Sequence, residues 1–192
     1  LGNFQKNNSF VWEYGFRVDQ IIVDAKKYYD LSNWNERNYS SLFSEFERQN
    51  VGTQILTNPK LQYLNFSAQT GISLGIGEAF TINASYILSQ RAPNASELFS
   101  DGLHHSIAAI EYGNLSLQKE LSHKMLASFI KQGDEFTFSI DPFISKIIDY
   151  IFIEPTKLEQ TIRGAFPVWE YKATDAFFSG IDFNSSIDIT EQ

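Results

Sequence analysis

The sequence predicts an all-β fold, an antiparallel up-and-down meander of about six long strands. Three observations predict it. Apolar and polar residues alternate with a period of two over long runs, very short turns alternate with long connections, and aromatic residues make up 15% of the 192 residues. A period of two places successive side chains on opposite faces of a strand, and aromatic side chains favour strands over helices. We therefore expect a sheet with one apolar face and one polar face.

The first strand is predicted from "FVWEYGFRVD" at residues 10–19. One parity of this run is apolar throughout: Phe10, Trp12, Tyr14, Phe16 and Val18. The other parity carries Glu13, Arg17 and Asp19. A helix would scatter both classes around its axis, whereas a strand separates them onto two faces.

Two hairpins and one more long strand follow. The first hairpin joins "NFSAQTGISL" to "AFTINASYILSQR" through the turn "GIGE" at 75–78, and the second joins "SHKMLASFIK" to "FTFSID" through "QGDE" at 132–135. Glycine at such turns adopts positive φ without steric cost. The last run, "VWEYKATDAFFSGIDFNSSIDI", again separates apolar from polar residues by parity.

The connections between these strands differ sharply in length. The segments 25–60, 92–116 and 154–165 are predicted as long connections, with 37–48 as an extension of the first one despite its strand-like alternation. Because short and long connections alternate, all short turns fall at one end of the sheet. Outer-membrane barrels have this layout, with a wet polar lumen and an apolar lipid-facing surface.

The alternative is a secreted β-sandwich, a binding module that recognises carbohydrate through exposed aromatic side chains. Its strands also alternate, because one face of each sheet meets water. Predicted strands of 12 or more residues favour the barrel, since strands of soluble domains have a mode of about 5–6 residues.

Charge and composition exclude several classes of function. The chain has 15 Lys and Arg against 23 Asp and Glu, a net charge of -8, so nucleic acid is not an expected partner. It contains no cysteine, which excludes disulfides and thiolate metal sites. The start lacks a signal-peptide pattern and no apolar run is long enough for a transmembrane helix. We expect the chain to be a piece of a longer protein.

Three motifs, in order, resemble TonB-dependent outer-membrane receptors. They are "YGFRVD" at 14–19, "SQRAPNASELFSDGLHHSIAAIEYGNLSLQKELSHKM" at 89–125, and "FPVWEYKATDAFFSGID" at 166–182, where Asp182 replaces the more usual glutamate. The resemblance implies that residues 1–192 are an interior slice of a 22-stranded transmembrane β-barrel domain. The plug domain and the remaining strands are then absent from this chain.

The resemblance also implies a function and a location. Such a receptor lies in the outer membrane and imports a scarce nutrient, such as a metal, a siderophore, haem or another large solute. Its expected partners are outer-membrane lipid, the transported ligand, and the TonB complex, which it contacts through the missing N-terminal region. We expect no resident cofactor; zinc or haem iron is expected only as a transported ligand.

Residues 91–99 supply the structural motif of the second resemblance: Arg91, Pro93, Glu97, Leu98 and Phe99. The resemblance places Arg91 at the outer end of a strand, with 92–116 as an extracellular loop. Arg91 and Glu97 are expected to form a charge-assisted pair that holds the root of this loop.

Asp101, His104 and His105 are the candidate ligand-binding residues of this loop. Three potential ligands within five residues suit Zn²⁺ or another divalent metal, with His104 and His105 as the metal ligands. The structural alternative is that they are ordinary polar residues at the barrel mouth.

The sequence gives no credible catalytic site, so we expect the chain not to be an enzyme. "SELFSDGLHH" contains serine and histidine but no nucleophile elbow, and carboxylate pairs such as Glu45 and Glu47 have no base placed beside them. A hydrolase on a β scaffold is therefore not favoured.

Overall fold

The computed structural model describes residues 2–7, 9–104 and 106–187, which form two sheets and a few short helices. The strands are β1 (Gly2–Asn7), β2 (Phe10–Asp24), β3 (Lys27–Asp30), β4 (Glu47–Val51), β5 (Gln54–Thr57), β6 (Lys60–Ile76), β7 (Phe80–Arg91), β8 (Asp101–His104), β9 (Ala109–Tyr112), β10 (Glu120–Lys131), β11 (Phe136–Thr161) and β12 (Gly164–Ile187). The helices are α1 (Leu31–Glu36), α2 (Tyr39–Leu42), a 3₁₀ helix (Ser44–Phe46) and α3 (Ala95–Phe99).

The larger sheet is an antiparallel meander in the order β1-β2-β6-β7-β10-β11-β12, followed at the β12 edge by β9 and β8. The six long strands β2, β6, β7, β10, β11 and β12 confirm the predicted fold class. The smaller sheet, in the order β3-β5-β4, belongs to the connection between β2 and β6.

The pairing register aligns the alternating residues of neighbouring strands on common faces. Trp12 lies opposite Ile72, and Tyr86 lies opposite both Thr70 and Met125. On this apolar face large side chains remain open, with Phe16 69% and Phe177 66% exposed. A sandwich would bury such a face against a second sheet, so the sandwich alternative does not describe this fold.

The two ends of the sheet are unlike each other. At one end, the turn end, residues 77–79 and 132–135 make short connections. At the other end, the loop end, lie the long segments 25–59 and 92–119. The long segments lie at one end, as predicted, but the prediction that all short turns fall at the other end is wrong, because β11 and β12 are joined by a two-residue turn at the loop end.

The prediction of a long connection at 154–165 is wrong. β11 runs to Thr161 and β12 starts at Gly164, so only Ile162 and Arg163 form the turn. The alternation that marks strands is broken because the β11–β12 register shifts between Ile147 and Tyr150 and again between Pro155 and Lys157. A bulge moves following side chains to the other face, so period two fails where the ladder continues.

Residues 37–48 lie in the first long connection, as expected, but they are mainly helical rather than strand-like. Tyr39 contacts Phe43 edge to face at a ring distance of 5.3 Å, and Phe43 stacks on Phe46 at 5.6 Å. Contacts at a spacing of three and four residues are those of a helix. Tertiary packing of these rings therefore overrides the local alternation.

The hydrophobic core lies at the loop end. Its buried residues are Tyr29, Trp34, Tyr39, Ile55, Leu98, Phe99, Leu115, Leu117 and Ile151. They come from 25–59, from 92–119 and from β11, so the two long segments pack on each other as one body. We call segments 25–59 and 92–119 together the outer-loop unit. None of the helices in the described ranges is long and apolar enough to cross a membrane.

Candidate functional site

Arg91, the last residue of β7, binds two carboxylates. Its Nε and Nη2 atoms lie 2.7 Å from the two oxygens of Glu120, and its Nη1 lies 3.0 Å from both oxygens of Glu97. Glu120 also accepts the backbone N–H of Ile151 at 2.7 Å. This network ties the start of the 92–119 segment to the neighbouring strands β10 and β11.

The residues after Arg91 fold the chain back. Asn94 and Glu97 form a reciprocal capping box on α3: the Asn94 side chain accepts the Glu97 N–H at 2.9 Å, and Glu97 accepts the Asn94 N–H at 2.7 Å. Pro93, Leu98 and Phe99 are buried. The cap satisfies backbone N–H groups that a free helix end would leave unpaired. The motif residues of 91–99 thus form the root of the segment.

Asp101 faces the first long segment. Burial raises the pKa of its carboxyl, and the nearby charges of Lys27 and Arg37 oppose that rise. Burial also lowers the pKa of Lys27, whose ammonium donates a short hydrogen bond to the Phe99 carbonyl. Asp101 therefore belongs to a group of charges between the two segments of the outer-loop unit.

His104 lies on the other face of β8. Residues three apart on a strand point to opposite faces, so Asp101 and His104 are not brought together. The His104 Nδ1 lies 3.1 Å from Glu111 Oε1, on the paired strand β9, and its Nε2 lies 3.4 Å from Ser106 Oγ. The His104 side chain is 56% exposed.

His105, the second predicted metal ligand, lies outside the described residues. Within the described ranges, no cluster of three His, Asp or Glu side chains has the arrangement of a metal site. His104 and Glu111 supply an imidazole nitrogen and a carboxylate oxygen, which are two of the three or four ligands that a zinc ion takes. Sequence reasoning missed Glu111, because it joins His104 only through the β8–β9 pairing.

An open cavity of about 310 Å³ separates the outer-loop unit from the β11–β12 hairpin. Its lining includes Arg37, Tyr39, Tyr112, Asn114, Glu170 and Lys172. The Arg37 Cζ lies 4.3 Å from the centre of the Tyr112 ring, and its Nη1 donates to the Gly113 carbonyl at 3.0 Å. A stacked guanidinium beside aromatic rings and hydroxyls suits a planar or anionic solute.

Tyr112 links this cavity to the hairpin. Its hydroxyl donates to the Glu159 carboxylate at 3.2 Å and accepts from Asn33 Nδ2 at the same distance. Burial raises the pKa of Tyr112 to about 12, so it stays protonated at neutral pH. Sequence reasoning missed Arg37 and Tyr112, which lie far apart in the chain and carry no local signal.

The chain is similar in fold to known proteins. No protein-family model and no curated protein matches the chain. Solved structures that are similar to it include the following three. A double mutant of the Serratia marcescens hemophore receptor HasR, in complex with its hemophore HasA and heme, has 16% identity over 97% of this chain and a TM-score of 0.63. The copper transporter OprC has 14% identity over 98% and a TM-score of 0.69. The siderophore receptor PirA of Pseudomonas aeruginosa has 15% identity over 95% and a TM-score of 0.57.

All three are TonB-dependent receptors. The fold of this chain is similar to that of part of their β-barrels. The chain spans only 30%, 26% and 36% of the lengths of those three chains. The long strands with their outer loops therefore match a part of such a barrel, and the likeness extends to the fold alone.

Proposed function

We propose that this chain is part of the barrel wall and outer loops of an outer-membrane TonB-dependent transporter that imports a metal, a siderophore, haem or another large solute. One observation carries the proposal. A single meander sheet bears an exposed apolar face, a polar opposite face, and packed loops at one end only.

The exposed apolar face supports the membrane location. Large side chains are open on every long strand, including Phe16, Phe66, Met125, Ile144 and Ile181. Soluble monomers rarely expose contiguous apolar patches above a few hundred Å². Lipid removes the cost of that exposure, since acyl chains solvate apolar side chains while the closed ladder of a complete barrel satisfies the backbone.

The opposite face supports an aqueous lumen. Ser128 and Ser139 donate to the Asp141 carboxylate, and the Asn184 amide nitrogen lies 3.5 Å from it. A carboxylate with hydroxyl and amide neighbours is compatible with water and would be costly against lipid. In this orientation the loop end faces the medium, and a TonB complex acts from the turn end.

We propose further that the β8–β9 ribbon captures a metal ion or a metal complex. His104 and Glu111 would contribute two ligands, and His105 is the candidate for a third. The cargo is a transported substrate and not a resident cofactor, and the role is transport and not catalysis. The named cargoes of the three similar structures, which are heme, copper and siderophores, give the ligand classes to test.

The ligand proposal is tested on the complete receptor that contains this chain. Zn²⁺ and haem are titrated separately against the wild type, a His104→Ala plus His105→Ala variant, and Glu111→Gln. Loss of a ligand from a small site is expected to weaken affinity at least tenfold, as lost ligand contacts do. The matched control is His123→Ala, which removes a histidine from the apolar face. Unchanged affinity for both probes in the double variant would refute metal capture at the ribbon.

The transporter proposal is tested independently by fractionation and uptake. The complete protein is expected in the outer-membrane fraction, and uptake of its solute should stop when TonB is deleted. Recovery of the protein in the aqueous fraction without detergent would exclude the membrane location.

A further inference from the structure

Three basic residues interrupt the apolar face near the loop end. Lys119, His123 and Lys146 share the parity of this face: His123 lies directly opposite Leu88 on β7 and Lys146 on β11. Lys146 in turn lies opposite Phe177 on β12. We call Lys119, His123, Lys146 and the neighbouring Tyr86 the basic patch. The patch stands out because the chain as a whole carries a net charge of -8.

Hydrogen bonds fix part of the patch. The Tyr86 hydroxyl lies 2.7 Å from His123 Nδ1. When that hydroxyl donates, the imidazole carries its proton on Nε2 and offers it outward. Lys119 Nζ donates to the Leu64 carbonyl at 2.6 Å and to Gln90 Oε1 at 3.0 Å. Several N–H donors are thus held on one surface.

Lys146 is the exposed cation of the patch. It has no carboxylate within ion-pair distance among the described residues. Its direct cross-strand neighbours are His123 and Phe177, neither of which is acidic. Asp149 and Asp175 follow toward the loop end, where Asp175 accepts the Asp149 backbone N–H at 3.4 Å. A cation flanked in this way, on a face that meets lipid, lacks a counter-ion within the described chain.

The height of the patch is that of a membrane boundary. Along β7 the apolar-face positions run from Phe80 to Leu88, which is about 27 Å of strand and about 20 Å along the membrane normal at barrel tilt. The apolar band of such barrels is about 25 Å tall. His123 and Lys146, level with Leu88, therefore lie where acyl chains give way to headgroups.

An apolar groove lies directly beside the patch, on its turn-end side. It has a volume of about 520 Å³, and its lining includes Thr70, Ala84, Tyr86, Met125, Ala127 and Ile144. Ala84 lies opposite Ala127, so two small side chains form its floor, while the next row, with Tyr86 opposite Met125, forms a wall. Tyr86 belongs to both features, because its ring lines the groove and its hydroxyl contacts His123.

We propose that the groove and the basic patch together bind one phosphate-bearing lipid of the outer leaflet. One acyl chain lies along the groove, and the phosphate of the headgroup is bound by Lys146, His123 and Lys119. The proposal rests on the proposed membrane location, since only then does the apolar face meet lipid. Lysines next to an anionic membrane surface each contribute about 1 kcal/mol, which corresponds to about fivefold in affinity.

The test uses the complete receptor, purified in detergent and titrated with diphosphorylated lipid A, with bound lipid counted by native mass spectrometry. Lys146→Gln is expected to reduce lipid affinity about fivefold, and Lys119→Gln with Lys146→Gln more than tenfold. Lys146→Arg should retain binding because it retains the charge. The matched control is Lys124→Gln, since Lys124 follows His123 on β10 and lies on the opposite face.

Two further measurements distinguish the contribution of the apolar groove from that of the basic patch. Ala127→Phe fills the groove without changing charge and should lower the affinity for phosphorylated and unphosphorylated lipid alike. Diacylglycerol, which has neither a phosphate nor a charge, should bind equally to the wild type and to Lys146→Gln. If lipid A binds Lys146→Gln as tightly as it binds the wild type, the headgroup site is refuted even when the receptor is found in the outer membrane. A dimer that excludes lipid would show that the face binds a second copy, which also overturns the proposal.

Discussion

At the scale of the residue, Arg91 pairs with two buried carboxylates through one guanidinium. The side chains of Glu97 and Glu120 are each only 10% exposed, while that of Arg91 is 44% exposed. Two carboxylates held that close would repel each other without a cation between them. The bidentate geometry toward Glu120 is one that a lysine does not reproduce. Arg91 therefore sets the position of the α3 helix relative to β10.

Replacing Arg91 by glutamine should loosen the root of the 92–119 segment. The change leaves two carboxylates without their cation, and we expect a loss of about 2–3 kcal/mol in unfolding free energy. Denaturant titration in lipid bilayers measures the loss, and faster proteolysis within 92–119 locates it. Arg17→Gln is the control, since Arg17 pairs with Asp19 on the surface and is 74% exposed. Equal behaviour of the two variants would contradict this role.

At the scale of the element, Gly113 allows the 92–119 segment to pack on α3. A Cβ at this position would lie 2.6 Å from the Leu98 carbonyl carbon and 2.7 Å from the Phe99 nitrogen. The Gly113 N–H donates to the Ser100 carbonyl at 2.6 Å, and the Asn114 N–H donates to the Glu97 carbonyl at 2.8 Å. The two stretches of backbone are therefore in direct contact.

Gly113→Ala should separate these stretches, because the obstructing atoms are backbone and cannot rotate away. We expect a cost of about 1–3 kcal/mol, as for overpacking of a core. Hydrogen exchange at Leu98 and Ser100 should accelerate. In Gly75→Ala the new methyl group would meet Ser9 at an ordinary 3.5 Å, so this variant should exchange as the wild type does. Slow exchange in Gly113→Ala would show that the segment accommodates the methyl group.

The sequence predicts elements where one physical signal dominates. The long strands β2, β6, β7 and β10 alternate cleanly, because one face of the sheet carries apolar side chains that remain exposed. The part of the β11–β12 ladder at 154–165 is missed, because Asp149 adopts a φ of 56° and the register shifts twice along β11. The helix at Tyr39 is missed because ring packing decides it. Of the candidate site, Arg91 and Glu97 are close in sequence and predictable, whereas His104 with Glu111 and Arg37 with Tyr112 meet only in three dimensions.

At the scale of the whole molecule, the two faces of one sheet differ in polarity. Neighbouring residues on one strand face opposite surroundings, as Asn83 and Ala84 do on β7: Ala84 lines the apolar groove, and Asn83 lies beside Ser85 and Asp141 on the polar face. The proposed membrane location gives each face a solvent that suits its side chains.

Ala84→Arg and Asn83→Arg therefore form a matched pair. A charge at the middle of the apolar band is expected to cost about 2–4 kcal/mol, because lipid does not solvate it. The same side chain one residue earlier points into water and should cost little. Urea titration of the complete receptor in bilayers compares the two. Equal destabilisation would mean that the two faces do not differ in solvent. That result would refute the proposal that this chain is part of a membrane-spanning barrel.

The parallel pairing of β9 with β12 has a topological consequence. Ile110 lies in register with Val168, so the chain between them, with the whole β10–β11 hairpin, becomes a ring closed by backbone hydrogen bonds. The ribbon that carries His104 is part of the same closure, because β8 pairs with β9. A cargo that pulls this ribbon toward the lumen must either break the ring or carry the edge of β12 with it. Movement of the β8–β9 ribbon is thereby coupled to movement of the tip of the β11–β12 hairpin.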